Sequence, residues 1–216
     1  MIQSNRETYE NVHPEPMWSK SLDLVLFINL EKRTDRRAQF LLQAQSLGIP
    51  CEKVVRINAL ISGFRGCTLS HRNAIHFAIL QNCKQIMICE DDFTVLDLSI
   101  FHASLNTAVS HKWNVLMAVM SPIRLVTIDK YICKVRQALG MCGYIVRNSY
   151  FVKLLQIFEE SLTKNQPHDM ITQQYQDRDQ WYGLQIPVAH QANGWSDIEN
   201  RMTDYKYLEI DRSMLQ

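Results

Sequence analysis

The sequence predicts an α/β protein with a mostly parallel central sheet flanked by helices and an irregular C-terminal segment. Hydrophobic residues make up 46% of the 216 residues and charged residues 21%, a composition typical of a globular chain with a sizeable core. Between Leu24 and Cys89, short apolar runs alternate with segments of helical periodicity. Because parallel strands need crossover connections, usually helices, this alternation favours a parallel sheet covered on both faces.

Each strand predicted in this first part is a short, nearly continuous apolar run. After the first run, Thr34 is placed to cap a helix whose apolar residues recur at helical spacing, and Gly48 and Pro50 end that helix. The strands are predicted over residues 24–30, 52–58 and 86–89, and the second helix over residues 68–83. Strand and helix therefore alternate through this part of the chain.

Beyond Cys89 the alternation is less regular. Helices are predicted over residues 101–109 and 148–160, the second capped by Asn148 or Ser149, and strands over residues 115–120, 125–128, 131–135 and 142–146. From Asn165 onward the chain is polar but carries several aromatic residues, and we expect loops and short helices that wrap the sheet edge. Residues 1–20 are predicted to form a polar N-terminal extension and residues 21–216 a single domain.

The charge balance and the apolar runs argue against several classes of protein. Lysine and arginine total 23 against 22 acidic residues, so the chain has no overall basic field and no nucleic-acid partner is expected. The N-terminus lacks the apolar core of a secretory signal, and no apolar run reaches the ~20 residues that span a bilayer. We therefore expect a cytoplasmic protein without a transmembrane segment.

The cysteines and histidines give no recognisable metal motif. The six cysteines lack C-x-x-C spacing and fall within predicted core elements, which favours buried thiols in a reducing compartment over disulfides or a zinc site. His71 and His76 lie five residues apart on the second predicted helix, without an H-E-x-x-H motif. They are more consistent with core or polar-face residues than with a metal pair.

Several familiar catalytic motifs are missing. The chain has no G-x-G-x-x-G, no G-x-x-x-x-G-K-[ST] and no G-x-S-x-G. A dinucleotide dehydrogenase, a P-loop nucleotidase and a serine hydrolase of the nucleophile-elbow type therefore have no positive support.

Three adjacent acids, Glu90, Asp91 and Asp92, directly follow the third predicted strand. Ligands of open α/β sheets bind beyond the carboxyl ends of the strands, so this triplet lies where a site is expected. Three such carboxylates raise one another's pKa unless a cation neutralises them, and Mg²⁺ or Mn²⁺ with a bound diphosphate would do so. The triplet alone supports equally a solvated turn or an N-cap for the next helix.

A basic segment follows the first predicted strand and carries Lys32, Arg33, Arg36 and Arg37. The guanidinium groups of the three arginines could bind phosphate or pack on a nucleobase, although a solvated first helical turn explains these basic residues as well. Cations are unfavourable at a helix N-terminus. We therefore expect a group outside the helix to offset them.

Several blocks of the chain, taken in order, resemble the family 25 glycosyltransferases, which include bacterial lipooligosaccharide galactosyltransferases and collagen galactosyl- and glucosyltransferase relatives. They extend over nearly the whole chain, and their joint order is far more specific than any one of them. The blocks are Phe27–Leu30 followed by Arg33, Asp35, Arg36 and Arg37, Arg56–Ala59, Gly66–His71, Ile88–Asp92, Gly143–Ile145, Asp169, Pro187–Gln191 and Ser196–Ile198.

The resemblance implies a GT-A fold and a UDP-hexose donor. It also implies a Mn²⁺ or Mg²⁺ cofactor and inverting transfer to a hydroxyl group of a glycan or glycoprotein acceptor. In this picture Asp92 is a direct metal ligand, joined by Glu90 and by His190 as a late ligand. The residues that it implies for nucleotide-sugar binding are Asn29, Leu30, Arg33, Arg56, Ser70, Glu90 and Asp91.

An inverting transfer also needs a base that takes the proton of the acceptor hydroxyl. Asp169 is the first choice and Asp197 the second, although Asp169 could simply cap a helix and His190 could be a packing residue. The end of the chain, Ser213–Gln216, lacks the retention signal of the animal collagen enzymes, which favours a bacterial or large-virus type. A catalytically silent binding or scaffold module and a metal-assisted phosphohydrolase are the alternatives.

Overall fold

The apolar runs form strands and the periodic segments form helices in the computed structural model, which describes residues 4–6, 8–10, 13–59, 63–196 and 201–203. The strands are β1 (Ser4–Arg6), β2 (Leu24–Asn29), β3 (Val54–Asn58), β4 (Gln85–Glu90), β5 (Phe93–Val95), β6 (Val115–Met117), β7 (Ser121–Thr127), β8 (Ile132–Leu139), β9 (Gly143–Arg147), β10 (Trp181–Leu184), β11 (Ala189–Gln191), β12 (Gly194–Ser196) and β13 (Arg201–Thr203). The helices are α1 (Thr34–Ser46), α2 (Gly63–Leu80), α3 (Leu98–Ala108), α4 (Phe151–Lys164) and α5 (His168–Gln176).

Nine of these described strands form one mixed sheet in the order β1-β3-β2-β4-β9-β6-β10-β8-β7. Strands β3, β2 and β4 are parallel neighbours, as the alternation of strand and helix predicts. From the pairings, β2, β3, β4, β6, β7 and β10 point one way and β1, β8 and β9 the other. The predicted α/β class, with a large and mostly parallel sheet flanked by helices, is confirmed.

The sheet is covered on both faces. Along β2, Val25 and Phe27 belong to one core cluster, whereas Leu26 and Ile28 belong to the other. Helices α1 and α3 contribute side chains to the first cluster, and α2, α4 and α5 to the second. Because side chains alternate between the faces of a strand, a strand between two helical layers needs apolar residues at successive positions.

Some local predictions are wrong at helix ends. Thr34 is the first residue of α1 rather than its cap, and no side-chain capping bond is formed there. Helix α2 begins at Gly63, before the predicted start. The predicted helix from residue 148 opens as a 3₁₀ turn, Asn148–Tyr150, and neither Asn148 nor Ser149 caps α4. Boundaries of this kind are set by backbone bonds that side-chain periodicity does not encode.

The prediction for the polar tail is the least accurate. Strand β10 does not wrap the sheet edge but lies inside the sheet, parallel to β6 and antiparallel to β8, with Trp181 fully buried. Its apolar residues follow a long polar stretch that dominates the local composition. After β10, β11 pairs with β5 and β12 pairs with β13 over three residues each, so short strand pairs lie where loops and short helices are predicted.

The N-terminal residues pack against this domain. Strand β1 pairs antiparallel with β3, and the Trp18 side chain is buried and donates from Nε1 to His102 Nδ1 at 2.8 Å. The predicted boundary between residues 20 and 21 stays a prediction. All six cysteines are free thiols. Within the described residues, none of the helices combines the length and the apolar character that a membrane crossing requires.

Two strand glycines make a matched test of how tightly the sheet packs. A Cβ at Gly143 would lie 2.5 Å from Cδ2 of the buried Phe93 ring, whereas one at Gly183 would lie 2.7 Å from Cε of Met120, the flexible end of a side chain. We expect Gly143→Ala to lower the free energy of unfolding by about 1–3 kcal/mol, because a buried ring cannot move aside easily. Gly183→Ala should cost less, since methionine adapts. Urea denaturation of both variants measures the difference, and equal losses would contradict this account.

Candidate functional site

The carboxyl ends of β2 and β4 form the centre of the site. From β2 the chain crosses through α1 to β3 on one side, and from β3 it crosses through α2 to β4 on the other. Connections that leave in opposite directions open a crevice at this edge of the sheet. Asn29 ends β2, and its Nδ2 donates to Asp91 Oδ2 at 2.7 Å, just after the end of β4. The predicted acidic triplet therefore stands in the crevice.

Arg36 bridges two of the three acids. Its Nη1 donates to Asp91 Oδ1 at 3.1 Å and to Asp92 Oδ2 at 2.6 Å, and its Nη2 donates to the Trp195 carbonyl at 2.7 Å. All three charged side chains are largely buried, with exposures of 13% for Arg36, 10% for Asp91 and 5% for Asp92. The expectation that a group outside the helix offsets the basic segment is thus confirmed for Arg36, and that group is the acidic pair.

The acids keep an excess of negative charge. Burial raises the pKa of Asp91 to about 6, with Asp92 adding to the effect, and burial together with Glu90 raises the pKa of Asp92. Burial acts to lower the pKa of Arg36, but the two aspartates outweigh it and the pKa is raised. One guanidinium binds two of three adjacent carboxylates, so the triplet still favours an additional cation.

Glu90 bonds to a different part of the fold. Its Oε1 lies 3.4 Å from the Cys67 thiol and 3.3 Å from His71 Nε2, both on α2. Glu90 also lines a cavity of about 480 Å³, and two further predicted site residues, Asp169 and His190, line the same cavity. Asp91 and Asp92 line a second cavity of about 460 Å³ beside α1. The acidic triplet therefore separates two cavities.

Asp169 lies in the first turn of α5, where a carboxylate is favourable to the helix dipole. Its Oδ2 accepts from the Gly140 N–H at 3.2 Å and its Oδ1 from the Met170 N–H at 2.9 Å. The N-cap position itself is Pro167. Asp169 is only partly buried and borders the cavity, so its carboxylate combines a helical position with access to a ligand.

Strand β11 brings two polar side chains to the acidic residues. Gln191 Nε2 donates to Asp92 Oδ2 at 3.2 Å. Nδ1 of His190 is buried without a hydrogen-bond partner. Burial lowers the pKa of His190, while the nearby Asp92 acts to raise it. An imidazole nitrogen left unsatisfied beside a carboxylate is suited to a ligand that brings a positive charge or a donor.

The ligand atoms of Glu90, Asp92 and Cys142 lie within 4.8 Å of one another. Two carboxylates fit Mn²⁺ or Mg²⁺, which prefer oxygen, whereas burial raises the pKa of the Cys142 thiol and keeps it protonated. Asp92 Oδ2 accepts from Arg36 and Gln191, while Oδ1 accepts from the Cys142 thiol at 3.5 Å. Over the described ranges, His190 belongs to no such close group.

The remaining residues predicted to bind the nucleotide-sugar donor lie outside the described lining of the 480 Å³ cavity. Arg33 pairs with Asp35 at 3.0 Å, and the buried Arg56 lies 3.4 Å from Glu31. The Ser70 hydroxyl donates to the Gly66 carbonyl within α2 at 2.7 Å. The described lining of the 480 Å³ cavity includes none of Leu30, Arg33, Arg56 and Ser70. Asp197 lies outside the described residues.

Three side chains at the site, unlike Arg36, are absent from the predicted functional residues. Arg36 had a signal, since a cation in a first helical turn requires a partner. Gln191, Cys67 and His168 had none, because ordinary polar residues become conspicuous only when the fold brings them beside a charge. The prediction that His71 and His76 form no metal pair agrees with their positions, since His71 is buried and His76 is exposed on another face of α2.

No family model matches the chain, and no curated protein matches it either. Similar solved structures include a UDP-glucose pyrophosphorylase complexed with UDP-glucose, with 8% identity, a TM-score of 0.48, and coverage of 75% of this chain and 72% of that chain. The protein A197 from STIV has 9% identity, a TM-score of 0.46, and coverage of 87% and 98%. A mannose-1-phosphate geranyltransferase from Thermus thermophilus has 8% identity, a TM-score of 0.44, and coverage of 74% and 73%. Similarities with such low identities and TM-scores indicate nothing about activity. Membership of family 25 stays a prediction.

The bridge made by Arg36 can be tested by stability. We expect Arg36→Gln to lower the free energy of unfolding by about 3 kcal/mol, because it leaves two buried carboxylates without their cation. Arg72→Gln is the control: its pair with Glu159 spans 2.7 Å but is solvent-exposed, and should be worth less than about 1 kcal/mol. Adding Asp92→Asn to Arg36→Gln should recover part of the loss. Strictly additive effects in urea denaturation would show that the two residues are not coupled.

Proposed function

We propose that this protein is a metal-dependent glycosyltransferase that moves a hexose from a nucleotide diphosphate sugar to a hydroxyl group of a glycan or protein. The proposal takes UDP-hexose as the donor and inversion as the stereochemical course, as the family resemblance implies. The observation that carries it is the incompletely neutralised acidic triplet at the carboxyl ends of β2 and β4, next to a cavity that also holds Asp169.

Glu90 and Asp92 would hold the Mn²⁺ or Mg²⁺ ion. When bound, such an ion offsets the negative charge that develops on a departing diphosphate. Arg36 and Gln191 fix one oxygen of Asp92, and Asn29 fixes one oxygen of Asp91. These bonds hold the carboxylates in place before any ligand arrives, and preorganised charges lose little energy to rearrangement during the reaction.

Asp169 is proposed as the base. Its cavity of about 480 Å³ falls within the range of ~300–1,000 Å³ that is usual for small-molecule sites. The carboxylate accepts the Gly140 N–H, which fixes its position while leaving lone pairs for the proton of an acceptor hydroxyl. Asp197 stays the second candidate for this role.

One observation favours a second function, a catalytically silent module that binds a ligand or serves as a scaffold. Arg36 already supplies a positive charge to Asp91 and Asp92, as a metal ion would. In that case the guanidinium takes the place of the metal, and the protein has no requirement for a divalent ion. Metal-dependent donor binding distinguishes the two functions.

The first test addresses Asp92. With Mn²⁺ and UDP-glucose or UDP-galactose at 100 times the dissociation constant, we expect wild-type protein to gain about 2.7 kcal/mol of apparent stability in a thermal-shift assay. Asp92→Asn should remove this gain while keeping the fold, because an amide can still bond to its neighbours. Asp177→Asn, at a half-exposed aspartate, is the control.

Each outcome of this assay has a defined meaning. A metal-dependent shift that survives in Asp92→Asn would refute the metal assignment. A wild-type protein that shows no metal-dependent shift with these UDP-sugars would favour the silent module.

The second test addresses Asp169. Asp169→Asn should lower turnover about 10²–10⁴-fold, the range that a general base contributes, with little change in donor affinity. UDP release with an acceptor panel measures turnover, and titration of the donor measures affinity, with Asp129→Asn as the control. A loss confined to affinity would point to another base. Rapid donor cleavage without acceptor would instead identify a phosphohydrolase.

A further inference from the structure

A second cluster of metal-ligating side chains lies beside the acidic triplet, between α2 and α5. Cys67 and His71 are four residues apart and share one face of α2. His168 is the first residue of α5. One ligand atom from each of these three residues lies within 4.8 Å of the other two. The cluster combines one sulfur and two nitrogen ligands, unlike the acidic triplet.

In both imidazole rings, Nδ1 lies within hydrogen-bond distance of a side-chain oxygen. His71 Nδ1 lies 3.1 Å from the Tyr144 hydroxyl, and His168 Nδ1 lies 3.1 Å from Thr68 Oγ1. The two ring centroids are 4.7 Å apart. Histidines that bind metals usually donate their other ring N–H to an oxygen, which fixes the tautomer and the ring orientation. Both rings have such an oxygen at Nδ1. His168 Nε2 is then left for a metal, and His71 Nε2 would exchange its 3.3 Å contact with Glu90 Oε1 for a bond to the metal.

The protonation of the cluster suits metal binding. Burial lowers the pKa of His71 to about 3 and that of His168 to about 4, so both rings are neutral, as ligands must be. Burial, with Glu90 nearby, raises the pKa of the Cys67 thiol, which keeps its proton until a cation displaces it. A metal ion would take the place of the contacts that Cys67 and His71 make with Glu90.

We propose that Cys67, His71 and His168 form a binding site for a divalent transition metal of the Zn²⁺ class, with the fourth position facing Glu90. Sulfur and imidazole ligands suit Zn²⁺, whereas Mn²⁺ and Mg²⁺ prefer oxygen. Binding releases the Cys67 proton to solvent and forms a metal–thiolate bond, with no change of oxidation state. Cys67, Glu90 and His168 line the 480 Å³ cavity, which gives the ion a path of entry.

This site does not rest on the proposed function. It differs from the sequence-based expectation against a zinc site, which considered only the spacing of cysteines along the chain. The alternative is a core cluster satisfied by its own hydrogen bonds. A cluster of that kind would not take up zinc stoichiometrically, and this difference is what an experiment can measure.

The test uses the full chain, reduced and freed of metal with a chelator. Titration with Co²⁺ alone should produce a thiolate-to-cobalt charge-transfer band that saturates at one ion per chain, and Zn²⁺ should abolish it. Cys67→Ser should remove the band and weaken Zn²⁺ binding by more than about 100-fold. Removal of a metal ligand should lower the metal affinity at least as much as removal of a group that orients a ligand. Zinc affinity is measured by competition with a chromophoric chelator.

Two control thiols identify the ligand. Cys51 has the same intermediate exposure as Cys67 and lies elsewhere, while Cys142 belongs to the group with Glu90 and Asp92. Cys51→Ser and Cys142→Ser should both keep the band. Thr68→Val, which removes the oxygen behind His168, should keep the band and weaken Zn²⁺ binding about 10–100-fold.

The outcomes that overturn the proposal are distinct from failure of the transferase proposal. A wild-type protein without a cobalt–thiolate band refutes the site, even if Cys67→Ser does not fold. A band that survives in Cys67→Ser but disappears in Cys142→Ser would place the ion in the other group. Donor binding that depends on Mn²⁺ and Asp92 is measured separately, so either proposal can fail alone.

Discussion

The bridge that Arg36 makes between Asp91 and Asp92 is the interaction on which the geometry of the site depends. It joins the first turn of α1 to the end of β4, and through the Trp195 carbonyl it also reaches β12. A buried ion pair adds little net stability, because desolvation offsets the attraction between the charges. Its effect here is on position: one oxygen of each aspartate is bound to the guanidinium, whereas Glu90 is left to bond with α2.

The strands that position these residues are predictable from the sequence, but not every strand is. Strands β2, β3 and β4 are nearly continuous apolar runs, interrupted in β3 by Arg56, as expected of strands buried on both faces. Strand β10 has four residues behind a polar stretch, too few to distinguish it from a loop by periodicity. Its place between β6 and β8 depends on pairing with strands that are distant in the chain. Local patterns carry no information on that pairing.

The two clusters of the site also differ in how far the sequence predicts them. The acidic triplet is predictable because it follows a strand, and the basic turn of α1 indicates that a partner exists without identifying it. The spacing of Cys67 and His71 is visible in the sequence, but nothing in the pattern links this pair to His168. The three residues come together only because α4 packs against both α2 and α5, which brings the start of α5 to one face of α2.

Glu90 connects the two clusters. It shares a group of close ligand atoms with Asp92, and it also bonds to Cys67 and His71. The oxygen-rich side and the side with sulfur and nitrogen differ in hardness, so they prefer different cations. One carboxylate cannot neutralise two divalent ions fully, so an ion on one side weakens the attraction for an ion on the other. Because such coupling is reciprocal, an ion held by Cys67 and the histidines would lower the affinity of the Asp92 side for its own ion by the same factor.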